Sequence, residues 1–419
     1  MGSPRLRSAL LLGALVCGAC GSSSAPTSDA ADSGAPDVVG GDAADSGATE
    51  DAAPPVDAAD GGQGDADDDA PFAWSLPKGF PVPVVPADNP MTRQKVRLGR
   101  HLFYDVRLSR NETQSCASCH KQELAFTDGK ATSVGSTGSP HPRNAMSLVN
   151  VAYASTLTWA NPLQLELERQ AIVPMFGDDP VELGLRDAGE LEARLAATAL
   201  YPPLFAAAWP DDPAPVTLQH VVQALSAFQR TIITRGSAYD RWLYGGDKTA
   251  LSDAAKRGYE LFHSEDAECF HCHVGFNLTD HVNWSGKAFF DAPFHNTGLY
   301  NVGGTGAYPE PNTGVFNVTK KPADMGRFKA PTLRNVAVTA PYMHDGSIAT
   351  LEEVLDHYQA GGRTIASGPN AGIGSGNPHK DPVIQPLGLS AEQRADLIAF
   401  LKSLTDEELL RDPSLSSPF

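Results

Sequence analysis

One pentapeptide pattern occurs twice in this chain and limits what it can fold into. The first copy is Cys116-Ala-Ser-Cys119-His120, and the second is Cys269-Phe-His-Cys272-His273. C-x-x-C-H is the attachment site of a c-type haem, where both thiols bond to the haem and the histidine ligates its iron. The chain is therefore expected to fold around two covalently bound haem c groups, which favours a redox function.

Paired cysteines have two other common uses, a zinc ribbon and a disulfide. The two pairs of a ribbon usually lie about 15–20 residues apart, whereas these pairs lie in opposite halves of the chain. A ribbon also does not need a histidine directly after each second cysteine. We therefore favour two haem sites over zinc or disulfides.

The other two cysteines, Cys17 and Cys20, lie in an N-terminal targeting segment, residues 1–20. Two arginines precede a short apolar run that ends in small residues, which is typical of a signal peptide. The segment resembles a bacterial lipoprotein signal with Cys20 as the lipidated residue. Cys17 departs from that pattern, so ordinary signal cleavage is the alternative. We predict export to the periplasm or cell envelope of a Gram-negative bacterium, with the membrane contacted only through this anchor.

Residues 21–70 are rich in Ala, Asp, Gly and Ser and contain no Lys, Arg or aromatic residue. Such a segment cannot bury enough apolar surface to offset its ordering entropy, which predicts a disordered acidic tether. The tether carries most of the formal net charge of −18. The remaining body is mildly acidic, so nothing indicates nucleic-acid binding.

The folded part is predicted to be mainly α, with two tandem cytochrome c-like haem domains joined by long irregular loops. We place the domains at residues 71–240 and 241–419. A short repeat supports this division, because Gly99-Arg-His-Leu-Phe103 precedes the first haem motif and Gly258-Tyr-Glu-Leu-Phe262 precedes the second.

Apolar periodicity and capping residues predict five helices, and strand signals are few. The helices are expected at Arg93–Phe103, Thr217–Ile232, Ser252–Phe262, Thr350–Tyr358 and Ser390 to about Leu404. The last two open with the capping-box pattern Ser/Thr-x-x-Glu/Gln. Gly- and Pro-rich loops are predicted at 133–147, 298–330 and 361–387.

Longer segments resemble the bacterial dihaem cytochrome c peroxidases and the related MauG enzymes. The similar segments include SCASCHKQELAFTDG, ERQAIVPMFGDDPVELG and FKAPTLRNVAVTAPYMHDG, and the resemblance covers about residues 72–410. Details such as WSLPKGFPVPVVPADNP are similar to the MbnH-type branch. Members of that branch act on a tryptophan of a partner protein.

The resemblance implies that the haem held by His120 reacts with hydrogen peroxide. Many members of the family block the sixth position of this iron with a histidine from a V-G-H-G-like loop. Here the matching stretch, Val134–Thr137, has Ser136 in that place. Serine is a poor haem ligand, so we expect an open site. His141 is the alternative sixth ligand.

The resemblance also implies an acid–base residue above the first haem. Gln170, Pro174 and Glu182 match the distal glutamine, proline and catalytic glutamate of the family. Glu182 would move the peroxide proton, with a pKa raised by enclosure. The spacing between Gln170 and Glu182 is two residues longer than in the peroxidases, which leaves Asp178 and Asp179 as alternatives.

At the second haem, held by His273, the resemblance implies Tyr358 as the sixth ligand. Peroxidases that accept electrons carry a methionine at the matching position. A phenolate is a hard anionic donor that stabilises higher oxidation states, and it is the MauG-type choice. Tyr342 and Met343 are the alternative ligands, and a core aromatic is the alternative role for Tyr358.

Two further roles rest on the resemblance alone. Trp159 is the expected conductor of electrons between the haems. Asn144, Thr339 and Pro341 match the residues that hold one calcium ion in the family, through a side-chain amide and two backbone carbonyls. Neutral oxygen donors of this kind suit calcium.

The favoured function is an exported dihaem oxidoreductase that uses hydrogen peroxide to oxidise a small exported partner protein. The expected target is a tryptophan, modified to a kynurenine-type product through a high-valent state shared by the two haems. The first alternative is a cytochrome c peroxidase that reduces peroxide with electrons from a small redox protein. The second is a non-catalytic electron-transfer cytochrome.

Overall fold

The computed structural model describes residues 72–419, so the predicted signal peptide, Cys20 and the tether lie outside the described residues. Residues 72–419 form ten α-helices and four two-residue strands, which confirms a mainly α fold. The helices are α1 (Arg93–Tyr104), α2 (Leu167–Phe176), α3 (Ala188–Ala196), α4 (Tyr201–Ala208), α5 (Leu218–Arg230), α6 (Ala238–Leu243), α7 (Asp253–Phe262), α8 (Phe316–Thr319), α9 (Leu351–Gln359) and α10 (Ala391–Lys402).

The strands form two small antiparallel pairs. In the first, β1 (Phe294–His295) pairs with β2 (Phe328–Lys329), and in the second, β3 (Thr364–Ile365) pairs with β4 (Gly372–Ile373). The predicted loops therefore contain short regular elements that their Gly- and Pro-rich composition did not reveal. None of the helices within residues 72–419 is long and apolar enough to span a bilayer.

Local capping fixes where the predicted helices begin. Thr217, Ser252, Thr350 and Ser390 each accept a hydrogen bond from the backbone N–H three residues later, at 3.1–3.2 Å. These contacts satisfy a backbone donor that a helix start otherwise leaves free. The predicted starts are confirmed, and α10 ends at Lys402, two residues earlier than expected.

The repeated glycines mark one helix crossing that the chain makes twice. A methyl group on Gly99 of α1 would lie 1.9 Å from the carbonyl oxygen of Ala224 on α5. A methyl group on Gly258 of α7 would lie 2.0 Å from the carbonyl oxygen of Asp396 on α10. No larger side chain fits at either position, so each glycine lets two helices pack with their backbones in contact next to a haem motif.

Each crossing lies within one of two large hydrophobic clusters. The first is built mainly around α1, α2 and α5, and the second around α7, α9 and α10. The predicted boundary after residue 240 falls within α6, where Tyr239 packs in the second cluster. This packing favours a division just before α6, and all described residues lie in one unit of contacts.

The C-terminal tail does not follow the predicted domain assignment. Residues 241–419 were assigned to the second domain, but Leu409 and Leu415 pack in the first hydrophobic cluster. The side-chain amide of Gln122 donates to the carbonyl oxygens of Leu409 and Asp412, both at 2.9 Å. The tail therefore crosses back and closes the first half, because its leucines complete that core.

Candidate haem sites

The first haem motif is held in a geometry that presents its histidine. Residues Cys116–Ser118 form a 3₁₀ turn, and the backbone N–H of His120 donates to the carbonyl oxygen of Cys116 at 3.0 Å. The Nδ1 atom of His120 lies 2.8 Å from the carbonyl oxygen of Phe126. A backbone acceptor at this distance favours the tautomer protonated on Nδ1, which leaves Nε2 free to ligate iron.

The motif lines a cleft of about 350 Å³. Small-molecule pockets usually measure about 300–1,000 Å³, so this cleft is of a size that holds a bound ligand. Cys116, Cys119 and His120 line the same cleft as the predicted distal residues, and those residues are Gln170, Pro174 and Glu182. The structure thus brings together every residue predicted for the first haem, and the set fits a haem attached at this motif.

Glu182 faces His141 within this cleft. The Nε2 atom of His141 lies 3.7 Å from Oε1 of Glu182. Burial raises the pKa of Glu182, and the nearby His141 opposes part of that shift. Asp178 and Asp179 are exposed and do not line the cleft, so the geometry favours Glu182 over these alternatives.

The additional two residues before Glu182 are taken up by a turn after α2. The backbone N–H of Leu183 donates to the carbonyl oxygen of Pro174 at 2.8 Å. The N–H of Leu185 donates to the carbonyl oxygen of Met175 at 2.9 Å. These bonds fold the chain back along α2 and return Glu182 to the cleft, although its spacing from Gln170 has changed.

The stretch Val134–Thr137 does not direct Ser136 into the first cleft. The hydroxyl of Ser136 donates to the carbonyl oxygen of Leu183 at 3.1 Å, and Ser136 is not among the residues that line the cleft. The ring of His141 is held by its neighbour Arg143, whose backbone carbonyl oxygen and N–H lie 3.0 and 3.1 Å from Nδ1. His141 is therefore directed at Glu182, which disfavours its alternative role as sixth ligand.

The second motif repeats the arrangement of the first. Residues Cys269–His271 form a 3₁₀ turn, and Nδ1 of His273 lies 3.1 Å from the carbonyl oxygen of Leu278. Cys269, Cys272 and His273 line a separate cleft of about 200 Å³. The four motif thiols are free, and the two pairs do not share a cavity, which argues against both the zinc and the disulfide alternatives.

Three candidate sixth ligands line the second cleft, namely Tyr358, Tyr342 and Met343. The hydroxyl of Tyr342 donates to the carbonyl oxygen of Val336 at 3.2 Å. Tyr358 is half-buried at the wall of the cleft, and burial raises its pKa. Within residues 72–419 no backbone carbonyl holds its hydroxyl as Val336 holds that of Tyr342, so the geometry favours Tyr358 as the residue that meets a haem iron.

Trp159 lies where the two clefts approach each other. Its side chain lines both haem clefts and a third, smaller cavity of about 110 Å³. The indole N–H donates to the carbonyl oxygen of Asn144 at 2.9 Å. The backbone N–H of Lys329 donates to the carbonyl oxygen of Trp159 at 2.8 Å. This placement fits the predicted conducting role.

The smaller cavity contains the predicted calcium residues. Asn144, Thr339 and Pro341 all line it. The Nδ2 atom of Asn144 donates to the carbonyl oxygen of Lys130 at 2.7 Å, which leaves its Oδ1 free for a cation. Lys329 also lines this cavity, and burial lowers its pKa to about 8. The donor set fits calcium.

The sequence did not indicate a charged chain beside the second cleft. His295 lies between two carboxylates. Its Nε2 atom is 2.7 Å from Oδ2 of Asp280, and its Nδ1 atom is 2.7 Å from Oδ2 of Asp381. Burial alone would lower the pKa of His295, but its interactions with Asp280, Cys272 and Asp381 outweigh burial and raise the pKa. No motif joins the three residues, and only the fold brings Asp381 to the other two.

Comparison with known proteins assigns this geometry to a family. A family model described as di-haem cytochrome c peroxidase matches residues 93–248. The cytochrome-c peroxidase IdrP1 of Denitromonas iodatirespirans is 37% identical over 360 residues, which cover 81% of this chain and 89% of that protein. The methylamine utilization protein MauG of Methylorubrum extorquens is 35% identical, over 77% of this chain and 81% of that protein.

A solved structure shows the same fold. The crystal structure of a MauG-like protein associated with microbial copper homeostasis is 51% identical and superposes with a TM-score of 0.81, over 83% of this chain and 99% of that one. These relatives confirm the prediction of an oxidoreductase with two haem c groups. The chain belongs to the family of di-haem cytochrome c peroxidases and MauG proteins.

Proposed function

We propose that this protein uses hydrogen peroxide to oxidise a tryptophan of a small exported partner protein to a kynurenine-type product. The observation that carries the proposal is that the two clefts are lined by different functional residues. The first contains Glu182 beside His141, with Ser136 in place of the family's ligating histidine. The second contains Tyr358 in the same cleft as its haem motif. The 51% identity with a MauG-like protein supports a MauG-type role.

Haem attached at the two motifs supplies the iron that binds and reduces peroxide and holds the oxidising equivalents. The residues of the first cleft manage the protons of that reaction. Glu182 takes the proton of one peroxide oxygen and returns it to the other, which favours cleavage of the O–O bond. Gln170 and Pro174, on α2, line the same cleft and limit the space in which peroxide is held.

Replacing His141 with glutamine tests the proton step through its pH dependence. Glu182 must be ionised to accept the peroxide proton, so the reaction rate rises with pH through the pKa of Glu182. Burial raises that pKa and the charge of His141 lowers it, so His141→Gln is expected to move the acidic limb to higher pH. Stopped-flow rates of the peroxide reaction across the acid range measure this shift.

His220→Gln provides the matched control, because His220 is a part-buried histidine stacked on Trp209 and does not line the first cleft. This variant should keep the wild-type profile. An acidic limb that stays in place in His141→Gln, or moves to lower pH, would contradict the proposed pairing of His141 with Glu182.

Tyr358→Phe tests the assignment of the second haem. Loss of the phenol oxygen removes the sixth ligand, so the low-spin signal of this haem is expected to become high-spin. Electron paramagnetic resonance of the diferric protein measures the change. Tyr342→Phe is the control, since that hydroxyl is already bonded to a backbone carbonyl. A low-spin signal that persists in Tyr358→Phe, or disappears in Tyr342→Phe, would refute the assignment.

Trp159 connects the two sites in this proposal, because its ring lines both clefts. Oxidising equivalents generated at the first site are shared with the second through this indole. We further propose one calcium ion at Asn144, Thr339 and Pro341, export to the periplasm or cell envelope, and lipidation at Cys20. Export suits a haem c protein, since this haem is attached outside the cytoplasm.

A cytochrome c peroxidase fed by a small redox protein is the second candidate function. Its support is the 37% identity with the cytochrome-c peroxidase IdrP1 over most of both chains. Tyr358 favours the first proposal, because a peroxidase of this kind needs a reducible haem of high potential. A phenolate ligand stabilises ferric iron instead.

One experiment separates the two functions. The holoprotein is mixed with hydrogen peroxide and a small exported protein encoded beside it, and tryptophan-containing peptides are mapped by mass spectrometry. We expect oxygen addition at a tryptophan, and none with Glu182→Gln. Rapid peroxide-dependent oxidation of a reduced small cytochrome or copper protein, with every tryptophan unchanged, would overturn the proposal and establish the peroxidase.

A further inference from the structure

Two buried tyrosines lead away from the second haem cleft. Tyr308 lines that cleft together with His273 and Tyr358. The ring of Tyr300 lies behind it, with 5.5 Å between the two ring centroids. Tyr308 is 4% exposed and Tyr300 is 7% exposed. At this separation the rings are in direct contact, so an electron can pass from Tyr300 toward the cleft without crossing solvent.

The hydroxyl groups of the two tyrosines have different partners. Tyr300 donates to Oδ2 of Asp345 at 2.6 Å, and Oδ1 of Asp345 accepts the backbone N–H of Ser347 at 3.1 Å. Tyr308 donates to the amide oxygen of Asn296 at 2.7 Å. A carboxylate is a base that accepts a phenol proton at this distance, whereas a neutral amide oxygen is not. Tyr300 is therefore the tyrosine of the pair that can lose its proton.

Burial and the charge of Asp345 raise the pKa of Tyr300 to about 12, so the phenol is protonated in the resting protein. A protonated phenol is hard to oxidise unless its proton leaves together with the electron. The hydrogen bond to Asp345 supplies that route. Tyr300, Tyr308 and Asp345 thus combine a path for an electron and an acceptor for a proton in one buried unit.

We propose that Tyr300 is a redox-active residue that holds one oxidising equivalent from the second haem, with Asp345 as its proton acceptor. In this step one electron leaves Tyr300 and passes by Tyr308 to the haem site, which hydrogen peroxide has oxidised. The phenolic O–H bond breaks, and the proton forms a new O–H bond on Asp345. The products are a neutral tyrosyl radical, a protonated Asp345 and a haem site reduced by one electron. Return of an electron and the same proton restores the resting state.

This inference rests on the proposed function, because the oxidant is the equivalent that peroxide delivers. The proposed role of Tyr300 is to hold that oxidising equivalent away from the haem until the partner protein supplies an electron. Tyr300 is suited to storage because it is buried, so its radical is shielded from small reductants in solution.

A second tyrosine–carboxylate pair provides a matched control. Tyr201 donates to Oδ2 of Asp105 at 2.5 Å, but Arg107 is bound to the same carboxylate at 2.8 Å. Tyr201 lines neither haem cleft. Its ring neighbour is Phe205, at 6.2 Å between centroids, rather than a tyrosine. Tyr201 therefore has a comparable hydrogen bond without the connection to a haem.

The test is electron paramagnetic resonance of the diferric holoprotein frozen rapidly after mixing with hydrogen peroxide. Wild type and Tyr201→Phe are expected to show the signal of an organic radical. If the protein is labelled with ring-deuterated tyrosine, this signal is expected to become narrower. Tyr300→Phe and Asp345→Asn are expected to lose it. Optical spectra of the resting haems verify that each variant is intact, since Tyr→Phe keeps the ring packing.

The outcomes separate this inference from the proposed function. If peroxide oxidises both haems but the radical is absent, or is unchanged in Tyr300→Phe, the storage role of Tyr300 is refuted and the proposed function stands. If Tyr300→Phe loses the radical and Asp345→Asn keeps it unchanged, the proton route to Asp345 is refuted. If peroxide does not oxidise the haems at all, the proposed function fails and this inference fails with it.

Discussion

Glu182→Gln is expected to retain both haems and to react with hydrogen peroxide about 10²–10⁴-fold more slowly than the wild type. Glutamine keeps the size and the hydrogen-bonding atoms of the side chain but cannot take up a proton. The cleft places this carboxyl with the first haem motif, and burial already raises its pKa, which suits a group that must both accept and release a proton. Single-turnover stopped-flow mixing of the diferric protein with peroxide measures the effect.

Asp179→Asn is the control for this prediction, because Asp179 is an exposed carboxyl on the turn just before Glu182. It should react at the wild-type rate, and both variants should bind haem in full, as judged by the pyridine haemochrome spectrum. Wild-type turnover in Glu182→Gln would remove Glu182 from the mechanism. A similar loss of reaction rate in Asp179→Asn would mean that Asp179, and not Glu182, is the acid–base residue.

Arg334→Met is expected to lower the free energy of unfolding by about 3–5 kcal/mol, because it leaves a buried carboxylate without its partner. Arg334 is fully buried, and its Nη1 lies 2.8 Å from Asp240 on α6. Its Nε donates to the carbonyl oxygen of Phe276 at 2.8 Å, and the guanidinium lies 4.8 Å from the ring centroid of Phe80. One side chain thus ties α6 to the segment after the second haem motif.

Arg411→Met is the control, since Arg411 also pairs with a carboxylate, that of Glu407 at 3.2 Å, but the two side chains are 80% and 64% exposed. Solvent screens an exposed pair, so its loss should cost little stability. Denaturant unfolding of the holoproteins, followed by tryptophan fluorescence, compares the two variants. Equal losses in both would mean that burial of the Arg334 pair does not matter, contrary to the structure.

Features set by short stretches of chain were predictable from the sequence. Ser252 and Thr350 mark helix starts because a cap needs only the three residues that follow it. The haem motifs are equally local, and their spacing alone predicts two attachment sites. The repeat at Gly99 and Gly258 was visible, but its cause was not, because the carbonyl groups that exclude a side chain come from α5 and α10.

Features that join distant residues were not predictable in the same way. Tyr300 and Asp345 are 45 positions apart, and Arg334 and Asp240 are 94 apart, with no pattern linking either pair. The order of the chain places the tail with the second domain, whereas Leu409 and Leu415 pack in the first hydrophobic cluster. The position of Glu182 follows from family resemblance. Only the turn after α2 explains why Glu182 still lies in the cleft although its spacing from Gln170 is two residues longer.

We propose that the two haems are unequal partners that share oxidising equivalents. Adding hydrogen peroxide to the diferric protein, without partner or reductant, and following the high-spin and low-spin signals together tests this proposal. We expect that peroxide reacts at the first site, that both signals change, and that they stay changed until an electron donor is added. A change confined to the high-spin haem, with the low-spin haem unaltered throughout, would contradict it.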